Sequence, residues 1–131
     1  MSKRSNRTAV IGVLSALALG TLSAAPAYAK DGRVERRGTC SAGSQWKLKL
    51  SPDGSVNEAE LEVDSNVVGQ VWKVAIRDNG TRVFSGLRTT RAPSGSFTVT
   101  RRVPNQAGRD RIVAAAKNSA TGESCVGRAS I

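Results

Sequence analysis

Histidine is absent from this chain. Its absence removes the commonest general base and the commonest metal ligand. A nucleophilic triad has no base, and a Ser-Lys dyad would need a buried site that nothing in the pattern supplies. No glycine-rich phosphate loop is present. Glu58, Glu60 and Glu62 alternate along one run, so they stand about 7 Å apart on an open strand face. No enclosure there raises the pKa of an acid for glycoside chemistry. They also lack the compact loop spacing of a calcium site. The sequence reads as a non-enzyme that needs no cofactor and no metal. Aromatic residues are few: two tryptophans, two phenylalanines and one tyrosine.

Cysteine is nearly absent too. Cys40 and Cys125 allow one pairing, and in an exported domain the expected pairing is a disulfide. No second long apolar run follows the first, so the mature chain has no transmembrane candidate. That first run has the form of a signal peptide over residues 1–29. Lys3, Arg4 and Arg7 precede an apolar stretch from Ala9 to about Leu22, and Ala27-Tyr28-Ala29 offers small residues at the cleavage positions. The apolar run is shorter than the ~20 residues of a spanning helix, and no cysteine at the cleavage region supports a lipid anchor. The expected location is extracellular, with association to the cell envelope open.

What remains is basic. The whole chain has 20 Lys and Arg against 10 Asp and Glu, a formal charge of +10. Loss of the three basic residues at the N-terminus leaves +7. The mature domain has about 100 residues, where a core is small and a disulfide is a common supplement.

The rest of the chain alternates with period two. The best-specified stretch is Gln70 to Arg88, two alternating runs around Asn79-Gly80, the strongest short hairpin signal. A two-residue loop there pairs Asp78 with Thr81, Ile76 with Val83, Val74 with Ser85 and Trp72 with Leu87. Those residues would face the core. Val71, Lys73, Ala75, Arg77, Arg82, Phe84 and Arg88 would face out, with Arg77 opposite Arg82.

Residues 30–38 form a polar tail or an edge segment, and the domain is expected over 39–131. From Cys40 a first strand runs to Leu50, with Trp46 and Leu48 inward. Ser51-Pro52-Asp53-Gly54 reads as a type I turn. It sets Trp46 opposite Ala59 and Lys47 opposite Glu58. The second strand places Ala59, Leu61 and Val63 inside and Glu58, Glu60, Glu62 and Asp64 outside. After the central hairpin come Thr89 to Gly95 as a loop and a strand from Ser96 to Val103. Phe97 and Val99 point inward there, and Arg101 is awkward. A strand from Arg109 to Lys117 follows, preferred over a helix on length and flanking turns. A last strand runs from about Ser124 to Ile131. The fold class is all-β: a seven-stranded antiparallel immunoglobulin-like β-sandwich, with Trp72 in its core and one disulfide between the first and last strands.

The segments RVERRGTC, SQWKLKLSPD, ELEVDSN, VGQVWKV, RDNGTRVFSG, RAPSGSFTV and ATGESC together resemble a family of small secreted actinobacterial proteins. These are immunoglobulin-like or fibronectin-like β-sandwiches of unknown function. The resemblance implies an extracellular sandwich with a disulfide and carries over no ligand or catalytic residue. A looser likeness to streptomycete protease inhibitors is one of size and compartment only.

With the third, fourth, sixth and seventh strands in one sheet, the parities gather Lys73, Arg77, Arg82, Arg88, Arg109, Arg111, Lys117 and Arg128 on one outer face, with Phe84 among them. The other sheet mixes Lys47, Lys49 and Arg102 with four acids. A one-signed face solubilises a sheet and also attracts polyanions. The expected partner is an anionic cell-wall or extracellular polymer, such as teichoic acid, acidic polysaccharide, anionic lipid or released nucleic acid. Specific nucleic-acid binding is not expected, since only Phe84 offers a stacking surface. The alternative is an unidentified protein, bound as by a protease inhibitor or adhesion partner through the exposed loop Thr89 to Gly95, where Arg91 precedes Ala92-Pro93.

Overall fold

Asn79 and Gly80 both take positive φ, 47° and 84°, as a type I′ hairpin loop requires. In the computed structural model, which describes residues 32–131, this loop joins two of eight strands. They are β1 (Val34–Thr39), β2 (Gln45–Asp53), β3 (Val56–Asp64), β4 (Val71–Asp78), β5 (Thr81–Thr89), β6 (Ser96–Pro104), β7 (Arg111–Asn118) and β8 (Ser124–Ser130). Residues 1–29, expected to be a signal peptide, lie outside the described residues. Among the described residues no helix is long and apolar enough to cross a membrane.

Two four-stranded antiparallel sheets form, ordered β1-β2-β3-β6 and β5-β4-β7-β8. The expected division of the strands between sheets is the one found. The count of seven is corrected to eight, because the polar segment before Cys40 pairs with β2 as an edge strand from Val34↔Leu50 to Thr39↔Gln45. Residues 111–118 are strand, with Ile112, Ala114 and Ala116 buried.

The core lies between the sheets. Leu48, Leu50, Leu61, Val63, Trp72, Val74 and Ile76 are fully enclosed, and the Trp72 ring meets Phe97 at 6.2 Å between centroids. Burying each such side chain contributes about 1.5–3 kcal/mol. Trp46 closes the seam where β1 and β8 meet. A Cβ on Gly38 or Gly127 would come within 2.6 or 2.9 Å of its indole, so both positions need the missing side chain.

Two registers differ from expectation. The β2–β3 loop is Gly54-Ser55, with Gly54 at φ 61°, rather than a turn centred on Pro52-Asp53. A positive φ at the first loop residue matches the twist of the flanking strands, whereas a type I turn splays them. Trp46 therefore pairs with Val63 and Lys47 with Glu62. The slip keeps parity, so the faces survive it. Pro52 sits beyond the end of β1, where β2 has an open flank and no ladder bond needs its missing N–H.

In the central hairpin a bulge sits between Ile76 and Arg77, and Val83 is the extra residue. Past it Ile76 pairs with Phe84, Val74 with Gly86 and Trp72 with Arg88. This overturns the expected pairing of Ile76 with Val83, Val74 with Ser85 and Trp72 with Leu87. The bulge turns both Val83 and Phe84 against the core and expels Leu87, which is 61% exposed. Gly86 leaves room for the Phe84 ring, which lies 3.1 Å from where a Cβ would be.

Cys40, directly after β1, is bonded to Cys125 in β8 and ties the two sheets together. Beside the bridge Glu123 is buried. Its carboxylate accepts from the Ala42 amide at 3.0 Å, the Ser44 amide at 2.9 Å and the Ser44 hydroxyl at 2.7 Å. Burial pushes its pKa up, but these donors outweigh burial and the net shift is downward. A depressed folded pKa contributes stability that is present above the unfolded value, about 4.3, and is lost as pH falls through the folded value. Thermal unfolding between pH 7 and pH 3 should therefore show a steeper acid decline in the parent than in Glu123→Gln. Parallel curves would remove Glu123 from the acid response.

Candidate anion-binding face

The outer face of β5-β4-β7-β8 can be read in rows from the register. One row runs Leu87, Lys73, Lys117, Ser124. The next is Ser85, Ala75, Ala115, Val126. The third is Arg82, Arg77, Val113, Arg128, and beyond it Arg111 pairs with Ser130. Lys73, Arg77, Arg82, Arg111, Lys117 and Arg128 are all exposed. Among the described residues no carboxylate holds an outward position in these four strands.

The structure adds a second opposed pair of like charge. Arg77 faces Arg82 as expected, and Lys73 faces Lys117 across the two central strands. In the other sheet unlike charges meet between β2 and β3, while Arg37 stands opposite Lys47 between β1 and β2. Its outer face sets Lys47 against Glu62 (3.4 Å) and Lys49 against Glu60 (2.9 Å), and Arg102 reaches Asp53 at 3.0 Å. Opposed unlike charges stabilise a sheet by a few tenths to about 1 kcal/mol, and opposed like charges cost a similar amount.

Phe84 and Arg88 do not belong to this face. The bulge places them on the inner side of the edge strand β5, where the Arg88 guanidinium lies 4.9 Å from the Phe84 ring centre. Exposed Leu87 takes the outward place beside Lys73. The isolated Gly86 was the sequence signal for a bulge. Arg101 keeps an inward register opposite Ala59 but is exposed, because β6 is an edge strand.

Among the described residues, depressions of two kinds lie on this face. A trough of about 290 Å³ is floored by Ala75, Ala115 and Val126 and rimmed by Lys73 and Lys117. A notch of about 380 Å³ is lined by Arg109, Arg111 and Arg128 together with Arg36 from β1. Arg109 lies in the β6–β7 connection rather than in the strand expected from residue 109. Arg36 was not anticipated. Its register matches Val34 and Gly38, which turn toward the core, but β1 is an edge strand and Arg36 leaves the sandwich at the seam with β8. A charge on the inward register of an edge strand was the available signal.

Elsewhere the residues are committed to the fold. Asp110 accepts from Asn57 Nδ2 at 2.6 Å and Asn79 Nδ2 at 3.3 Å, fastening the central hairpin loop. No group of three or more His, Cys, Asp or Glu side chains suited to a metal occurs among the described residues. The 89–95 loop is folded on itself. The Arg91 amide donates to Ser96 O at 2.9 Å, and the Gly95 and Ser96 amides donate to Arg91 O at 2.8 and 3.3 Å. An extended, strand-like peptide is the usual form for pairing along a partner's groove, and this loop does not have it. No family model, curated protein or solved structure matches the chain.

Proposed function

We propose that this is a secreted, non-catalytic binding module that holds anionic cell-envelope or extracellular polymer on the outer face of β5-β4-β7-β8. One observation carries the reading. Between β2 and β3 the domain pairs unlike charges, Lys47 with Glu62 and Lys49 with Glu60, whereas the central strands of the other sheet oppose like charges, Lys73 with Lys117 and Arg77 with Arg82. A face selected only for solubility gains from mixing signs. A face that accepts a polyanion gains from keeping them alike, and the ligand offsets the repulsion.

The order β2-β3-β6 against β5-β4-β7-β8 supports an immunoglobulin-like or fibronectin-like assignment, with β1 as an added edge strand. That agrees with the resemblance to small secreted actinobacterial sandwiches. The disulfide supports an oxidising, extracellular setting.

Retention of the oxidised protein on purified Gram-positive cell wall tests the proposal. Binding at low salt and elution by salt are expected, with Arg77→Glu plus Arg82→Glu eluting earlier. Absence of retention at low salt would sink it.

A further inference from the structure

Within that reading, on which this inference rests, the two depressions differ in chemistry. Lysines rim the apolar trough, and four arginines line the notch. They come from separate parts of the chain: Arg36 from β1, Arg109 from the β6–β7 connection, Arg111 from β7 and Arg128 from β8. Val113 and Ser130 contribute to the wall.

Among the described residues no carboxylate lines the notch, and the acids next to its arginines in the chain have other partners. Glu35 points to the opposite side of β1 from Arg36. There the Arg37 guanidinium, 2.6 Å away, holds its carboxyl below the ordinary value. Asp110 is fully buried and accepts from Asn57, Asn79 and the Gln106 amide. The Ile131 backbone oxygen accepts from the Asp110 amide at 2.9 Å. Four arginines therefore line one concavity, and among the described residues no acid joins them there.

We infer that the notch is the subsite for a tetrahedral oxyanion ester carried by the polymer, a phosphate or sulfate group, and that it gives the face a preference beyond charge. A guanidinium presents a planar fork that meets two oxygens of one anion at once, whereas an ammonium acts as a point charge. A tetrahedral group offers oxygens in several directions and can engage forks arriving from β1, β7 and β8 together. A planar carboxylate presents two oxygens in one plane and satisfies fewer of them. The volume accommodates such a group with part of the adjoining chain.

The experiment compares three polymers of matched length and charge at fixed ionic strength, using the oxidised full-length mature chain. They are a glycerol-phosphate polymer, a sulfated polysaccharide and polyglutamate. At least one of the tetrahedral esters should bind about tenfold or more tighter than polyglutamate, and the tighter arm identifies the source. Replacing Arg36, Arg109, Arg111 and Arg128 together by lysine keeps the charge and should bring the three polymers within about twofold of one another. Equal affinity of all three for the parent overturns the notch while leaving the cationic face standing. Survival of the preference in the lysine variant also overturns it. Failure of every polymer to bind at low salt removes the broader reading. The parent comparison stands whether or not the variant folds.

Discussion

Replacing Cys40 and Cys125 together by alanine should lower the unfolding free energy by roughly 4–5 kcal/mol. The bridge spans 85 residues, and chain-entropy closure of a loop that long is worth about that much. The two side chains are 6% and 1% exposed, and alanine leaves little polar loss in their place. In a domain of about 100 residues each kcal/mol moves the midpoint by about 4–8 °C, so a fall of about 20–30 °C is expected by calorimetry. The position adds to the effect. The bridge joins the end of β1 to β8, next to the loop that Glu123 holds through the Ala42 and Ser44 amides. Its loss releases the edge strand that supplies Arg36, so the notch should open before the core does. Hydrogen exchange of the reduced protein should show β1 losing protection first. A double variant melting within a few degrees of the parent would mean that the sheets hold each other without the bridge.

The second expectation has opposite signs for stability and binding. Lys117→Glu places a carboxylate opposite Lys73, and Arg82→Glu does the same opposite Arg77. Two repulsive cross-strand pairs become attractive. At a few tenths to about 1 kcal/mol for each contribution, the pair of changes should stabilise the fold by about 1–2 kcal/mol. The same changes remove four units of positive charge from the face. At about 1 kcal/mol per basic residue near an anionic surface, affinity for a polyanion should fall by about a thousandfold at low salt. Added salt or bound polyanion should raise the melting midpoint of the parent and do less for the variant. A variant that melts lower than the parent would refute the repulsion argument. A variant that binds cell wall as tightly as the parent would refute the role of the face.

Much of this arrangement is legible in the residues. Asn79-Gly80 specifies its own loop, and period-two alternation assigns Trp72, Val74, Ile76, Ile112 and Ala114 to the core. The same parity places Lys73, Arg77, Lys117 and Arg128 on one outer face. Alternation reports which side a residue takes along one strand, however, and not which residue stands across from it. Lys47 met Glu62 instead of Glu58 because the loop closed at Gly54-Ser55. Local preference favoured a turn at Pro52, and the twist of the paired strands outweighed it.

The sequence by itself determined the all-β class, the only possible disulfide pairing and the excess of positive charge, since each follows from side-chain period or residue count, whereas the expected sheet partition rested on the sandwich template. The tertiary structure alone decided which charges meet. It opposed Lys73 to Lys117, because strand neighbours distant in the chain are set by sheet order. It moved Phe84 and Arg88 off the face, because burying an aromatic ring and two core contacts outweighed an unbroken ladder at Val83. And it brought Arg36 to Arg109, Arg111 and Arg128, because the edge strands of two sheets come together only when the sheets pack.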